Sequence, residues 1–187
     1  MTVWQNQPII RVRKRQIFFI NISAGVGGKC SMEGKRLTSY AMEELECPKC
    51  GHKHSLKKYK VINVTEKAKL KEEIMKNRLY QFSCEECEYM APLTYDSLYV
   101  DSRKNIMIYM APVMNAEIKV EIAELEQEKG IDKRLVDNIN DLKEKIMIVD
   151  NHLDDRVIEI IKIMYLDQIK KEMEDDTLLN ILFDYNR

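Results

Sequence analysis

The sequence predicts an α+β protein, a small antiparallel sheet with one inserted helix followed by a mainly helical C-terminal half. Three observations carry that expectation. Short runs rich in Val, Ile, Tyr and Phe dominate up to Pro112, whereas beyond it apolar residues recur at helical spacing. Two Cys-x-x-Cys pairs, Cys47/Cys50 and Cys84/Cys87, punctuate the first half. Hydrophobic residues make up 45% and charged residues 33% of the chain, interleaved rather than in tracts, as in globular proteins.

Residues 1–44 read as an N-terminal extension, 45–112 as a metal-organised domain and 113–187 as a helical region packing on it. In the extension, Ala24-Gly-Val-Gly-Gly28 would break a helix. Two readings of this segment stand open. Ile17 to Ile22 forms a strand with the glycines as its turn, or Gly27-Gly28 reflects a purine-rich ribosome-binding site and Met32 is the native start.

From Leu45 the signals sharpen. Tyr59 to Val64 has strand character, and Thr65 is placed to cap a short helix through about Lys76, with Ala68, Leu70 and Ile74 on its apolar side. Leu79 to Phe82 returns as a strand leading into the second cysteine pair, and Leu98–Asp101 with Ile106–Met110 reads as a hairpin closed by the polar turn 102–105. Ile118, Ile122 and Leu125 mark a helix stopped by Gly130. Leu135, Ile139 and Leu142 mark a second, and Asp154 and Asp155 suit the first turn of a third with a broad apolar stripe at Val157, Ile158, Ile161, Met164, Leu166 and Ile169. Leu178 to Phe183 reads as a final strand, so close to residue 187 that a truncated C-terminus is an open expectation.

The net charge of −1 gives no global pull towards nucleic acid or membrane. Its distribution is uneven, with 19 acidic against 11 basic residues from Asn115 onward. That half is a poor phosphate-binding surface. No apolar run approaches the roughly 20 residues that span a bilayer. Five cysteines, two pairs and the singleton Cys30, fit a reducing, cytoplasmic compartment and a metal better than a disulfide framework.

Cys47, Cys50, Cys84 and Cys87 are the candidate metal ligands. Two residues between thiols let the chain wrap a tight turn that presents both sulfurs to one ion, and two such turns complete a tetrahedron, the arrangement that selects zinc or iron–sulfur chemistry. Zn2+ is the expected ion, in a zinc-ribbon-like setting, with a rubredoxin-like iron site for electron transfer as the rival. The 33 residues between the pairs exceed the usual ribbon spacing, and the inserted helix accounts for the excess, with its flanking strands returning side by side. Pro48 and Gly51 favour the first knuckle; Glu88 stands where a glycine would be comfortable in the second, which Glu85, Glu86 and Glu88 surround. Since four thiols fill a closed site, His52 and His54 are expected as surface residues beside the metal, and His152 as a loop residue.

Cys47-Pro-Lys-Cys50-Gly51, Ile62-Asn-Val-Thr-Glu66, Phe82-Ser-Cys84-Glu-Glu-Cys87 and Ile106-Met-Ile-Tyr-Met-Ala-Pro112 together resemble the bacterial and archaeal CpXC domain, named for two Cys-Pro-x-Cys motifs. Leu142 to Ile146 and Leu153 to Ile161 are similar to the C-terminal part of proteins carrying it. The resemblance covers residues 45–170 and implies a cysteine-bound metal and a compact fold, without supplying an activity. Cys84-Glu85 departs from it, since the second motif lacks its proline.

No nucleophile–base pair, phosphate loop or open metal site is legible, so no enzyme and no small-molecule substrate is expected. The sequence favours a non-enzymatic zinc-binding module that serves a protein partner as an interaction or adaptor surface. Nucleic-acid binding through Lys53, Lys57, Lys58 and Lys60 with Tyr59 is the alternative, and a lysine-rich strand edge that discourages aggregation is the plainer reading of those residues.

Overall fold

A computed structural model describes residues 36–172. In chain order the elements are β1 (Ser39–Glu46), β2 (Lys53–Asn63), α1 (Lys69–Met75), a 3-10 turn (Arg78–Tyr80), β3 (Gln81–Ser83), β4 (Met90–Pro92), β5 (Ser97–Asp101), β6 (Ile106–Met110), α2 (Ala116–Glu126), β7 (Asp132–Val136), α3 (Ile139–Asp150) and α4 (Asp155–Glu172). The chain divides between Leu142 and Lys143 into two compact units. The strand reading of Ile17–Ile22, the start at Met32, Cys30 and the strand at Leu178–Phe183 lie outside the described residues.

The α+β class and the helical C-terminal half stand, but the sheet is mixed rather than antiparallel. Its order is β1-β2-β5-β6-β7, with β2 parallel to β5 and β6 parallel to β7. Parallel neighbours need crossovers. The first, residues 64–96, carries α1 and a separate two-stranded sheet of β3 and β4; the second is α2. Every residue of β5 and β6 is buried, as expected of central strands covered on both faces. One face packs Leu98, Val100, Met107 and Tyr109 with Ile118 and Leu125 of α2. The opposite face buries Ile62, Tyr99, Ile108 and Met110.

The helix α1 starts at Lys69 and has no side-chain cap. Asn63 competes successfully for the turn before it, its Oδ1 accepting from Thr65 N at 2.9 Å and Glu66 N at 3.2 Å. Thr65, expected as the cap, instead accepts a hydrogen bond from Ser102 N at 2.8 Å and so ties the exit of β2 to the β5–β6 turn. The expected strand from Leu79 shortens to Gln81–Ser83, because residues 78–80 form the 3-10 turn.

The helix expected through Leu135, Ile139 and Leu142 is two elements. Residues 132–136 form β7 along β6, a polar edge strand with only Val136 buried, and α3 begins at Ile139 after Asn138 accepts from Asp141 N at 3.0 Å. The run Asp-Lys-Arg-Leu-Val carries too few apolar residues to show its period. α2 is capped as helices usually are, Asn115 Oδ1 accepting from Ile118 N at 2.8 Å.

In the unit from Lys143 on, the apolar stripe read for α4 is split. Ile158 is buried, whereas Val157, Ile161 and Met164 are exposed. The buried side of α4 carries charge because α3 presents charge to it. Lys162 Nζ donates to buried Glu144 at 2.6 Å, and Lys145 Nζ to Asp155 and Glu159, each at 2.6 Å. Burial pushes the Glu144 carboxyl up, against the pull of Lys162.

Candidate metal centre

Each cysteine pair occupies the turn of a hairpin. Residues 47–52 join β1 to β2, and residues 84–89 join β3 to β4. The two turns have the same wiring. In the first, Cys47 N donates to His52 O at 2.8 Å and Gly51 N to Cys47 O at 2.9 Å; in the second, Cys84 N donates to Tyr89 O at 2.8 Å and Glu88 N to Cys84 O at 3.0 Å. Both need a left-handed residue after the second cysteine, and both have one, Gly51 at φ 72° and Glu88 at φ 56°. Glu88 therefore holds, with a Cβ, the left-handed conformation that the knuckle turn requires and that glycine adopts without cost. The missing proline at Glu85 does not alter the turn.

All four cysteine sulfurs lie within 4.8 Å of one another. Cys47 Sγ is 3.7 Å from Cys87 Sγ and Cys50 Sγ is 3.5 Å from Cys84 Sγ, both contacts running between knuckles. A tetrahedron with metal–sulfur bonds of about 2.3 Å has edges of about 3.8 Å, so the cluster already has nearly the size a metal ion requires. Cys47 and Cys84 are buried, Cys87 is half-buried and Cys50 is exposed. Beneath them lies a small cluster in which Phe82 packs with Cys47 and Cys84, bordered by Leu56, Tyr89 and Leu93.

The electrostatics fit a cation. Burial raises the Cys47 thiol, but N–H groups of Cys50 and Lys49 directed at its sulfur, together with the Cys50 and Cys87 thiols, bring it down to about 7. The N–H of His52 favours the Cys50 thiolate, yet burial and the three neighbouring sulfurs prevail and push it up to about 12. Burial likewise raises Cys87, against the N–H of Tyr89. Cys47 ionises readily and Cys50 and Cys87 then resist, which is how like charges in a confined site behave until a metal supplies the compensating charge.

The four predicted ligands are thus brought together, although not as expected in one respect. The strands flanking the long gap do not pair; among the described residues β3 bonds only β4, and the second hairpin meets the first through the cysteines and the Phe82 cluster. His52 is exposed, and His152 lies in the α3–α4 turn with φ 55°. His54 departs from expectation. It is half-buried at the start of β2, with Nε2 3.2 Å from Cys84 Sγ and its ring edge-on to Phe82 at 5.5 Å. The alternation that puts Leu56 on the cluster side of β2 puts His54 there too, a signal present in the sequence.

Two hairpin knuckles converging four thiols on one point define an α+β protein with a cysteine cluster that could hold a metal ion. A sequence model described as "CpXC protein" matches residues 45–162, more than half of the chain, and the chain belongs to that family. No curated protein and no solved structure matches it.

Proposed function

We propose that the chain is a non-enzymatic zinc-binding module, in which the ion is structural and the folded unit offers a surface to a protein partner. The observation that carries this reading is the closed set of four sulfurs within 4.8 Å. Four thiolates in tetrahedral geometry favour Zn2+, and they leave no position for water or substrate. The hairpin bearing Cys84 and Cys87 has strands of three residues, Gln81–Ser83 and Met90–Pro92, too short to hold by themselves. The ion would supply the missing cohesion, its binding energy serving as folding energy. Free thiols in this number suit a reducing cytoplasm. No helix among the described residues is long and apolar enough to cross a membrane.

Nucleic-acid binding is the less favoured reading. Lys58 is paired with Glu43 at 2.6 Å and Lys60 with Asp96 at 3.2 Å, while Lys57 lies over the Tyr40 ring at 4.3 Å. These lysines are already engaged within the fold, which supports the plainer role of guarding the β1–β2 edge. Chelation tests the proposal. Removing the metal from the full chain should loosen residues 47–93 and expose the Phe82 cluster; a fold unaffected by chelation would refute it.

A further inference from the structure

His54 lies between two aromatic rings and against one sulfur. Its centroid is 4.9 Å from that of His52 and 5.5 Å from that of Phe82, the latter ring edge-on at 80° and itself buried. The ring is thereby fixed with Nε2 at 3.2 Å from Cys84 Sγ. A metal-bound cysteine is a thiolate and can only accept, so the imidazole must present Nε2–H to it.

We propose that His54 is a positioning residue of the metal centre, holding the Cys84 thiolate by an N–H···S hydrogen bond and drawing charge from it. The inference rests on reading the four cysteines as a metal site. Backbone N–H groups of the knuckles serve Cys47, Cys50 and Cys87, from Lys49 and Cys50, from His52 and from Tyr89 respectively. Cys84 in addition meets a side chain of the other hairpin, across the site. His54 therefore does two things at once. It offsets part of the excess charge of four thiolates around a divalent ion, and it links the start of β2 to the second knuckle independently of the metal. Groups that hydrogen-bond a ligand in this way commonly govern metal retention as strongly as the ligands' own surroundings do.

His54→Phe tests this, because the ring survives to pack on Phe82 and His52 while the donor is lost; His52→Phe is the control, and His54→Gln restores a donor without a ring. Each full-length variant is loaded with zinc, shown folded by circular dichroism, and titrated with a competing chromophoric chelator. It is then reloaded with cobalt(II) for visible and near-ultraviolet spectra. The expected result is a fall in metal affinity of about 10-fold or more for His54→Phe, partial recovery in His54→Gln and no change in His52→Phe. The thiolate-to-cobalt band of His54→Phe should move to lower energy, since an unbonded sulfur gives up its electrons more easily, with the four-sulfur ligand-field bands retained. Affinity and charge-transfer energy equal to wild type in His54→Phe would overturn the inference. Altered ligand-field bands would overturn it too, by making His54 a ligand. If wild type itself takes up no metal, the metal reading fails first and this inference with it.

Discussion

Gly51 and Glu88 occupy equivalent positions in the two knuckles, and substitutions at them should have opposite effects. Both residues are left-handed, at φ 72° and 56°. For a residue with a Cβ that conformation costs about 1–2 kcal/mol. Glu88→Gly relieves it but adds back about 0.4–1 kcal/mol of unfolded-chain entropy, leaving a net stabilisation of about 0.5–1 kcal/mol. Gly51→Ala reverses both terms. A Cβ at Gly51 would meet only Glu46 Oε1, at an ordinary 3.6 Å, so the cost is that of the backbone and not of a clash. Denaturant unfolding of the metal-loaded protein measures both, and Glu88→Gln separates charge from conformation, since it keeps the Cβ and removes the carboxylate. If Glu88→Gly were no more stable than Glu88→Gln, or Gly51→Ala were neutral, the equivalence of the two knuckles would be refuted.

Cys47→Ser or Cys84→Ser should lose metal retention and the order of the β3–β4 hairpin, read by elemental analysis and by amide exchange at residues 81–92; retained metal with unchanged exchange would contradict the ligand assignment. Metal uptake should strengthen as pH rises from about 6 to about 8, because ions must displace protons from thiols. The sign follows from the sulfurs. Cys50 and Cys87 are held above the ordinary thiol value, Cys50 at about 12, so they surrender protons only to the metal, and binding titrations in buffers of different ionisation enthalpy should show proton release. Leu125→Ala should cost about 2–5 kcal/mol in unfolding free energy, since the side chain is buried in the α2–sheet core. Glu144→Gln should cost about 1–3 kcal/mol, since it leaves buried Lys162 with only Glu159, at 3.2 Å, as a charged partner, whereas Glu144→Leu combined with Lys162→Met should be milder; equal losses would show that the pair contributes no more than packing.

The two knuckle turns and their four cysteines were legible in the sequence because Cys-x-x-Cys spacing reports a local turn, and local geometry does not depend on the rest of the chain. The left-handed demand on Glu88 was legible for the same reason. Tertiary choices were not. Nothing local in Tyr59–Val64 or Leu98–Asp101 states that β2 lies parallel to β5, since direction is decided by the crossover between them. β7 was missed because an edge strand tolerates charged Asp132, Lys133 and Arg134, of which Asp132 is exposed and the other two half-buried, and so loses the apolar–polar alternation that marks a half-buried strand. Charges on the inner side of α4 were unreadable without Glu144 and Lys145 opposite. His54 was assigned to the surface by counting ligands, although its place on the same strand face as Leu56 pointed inward.

The proposed function requires that one ion hold the two hairpins together through Cys47, Cys50, Cys84 and Cys87. Elemental mass spectrometry of protein purified without added metal, with a visible absorption spectrum of the same sample, tests it most directly. One zinc per chain and no visible colour is the predicted result. Iron with visible absorption bands would contradict the structural zinc assignment and turn attention to electron transfer, and a folded chain with no bound metal would contradict the claim itself.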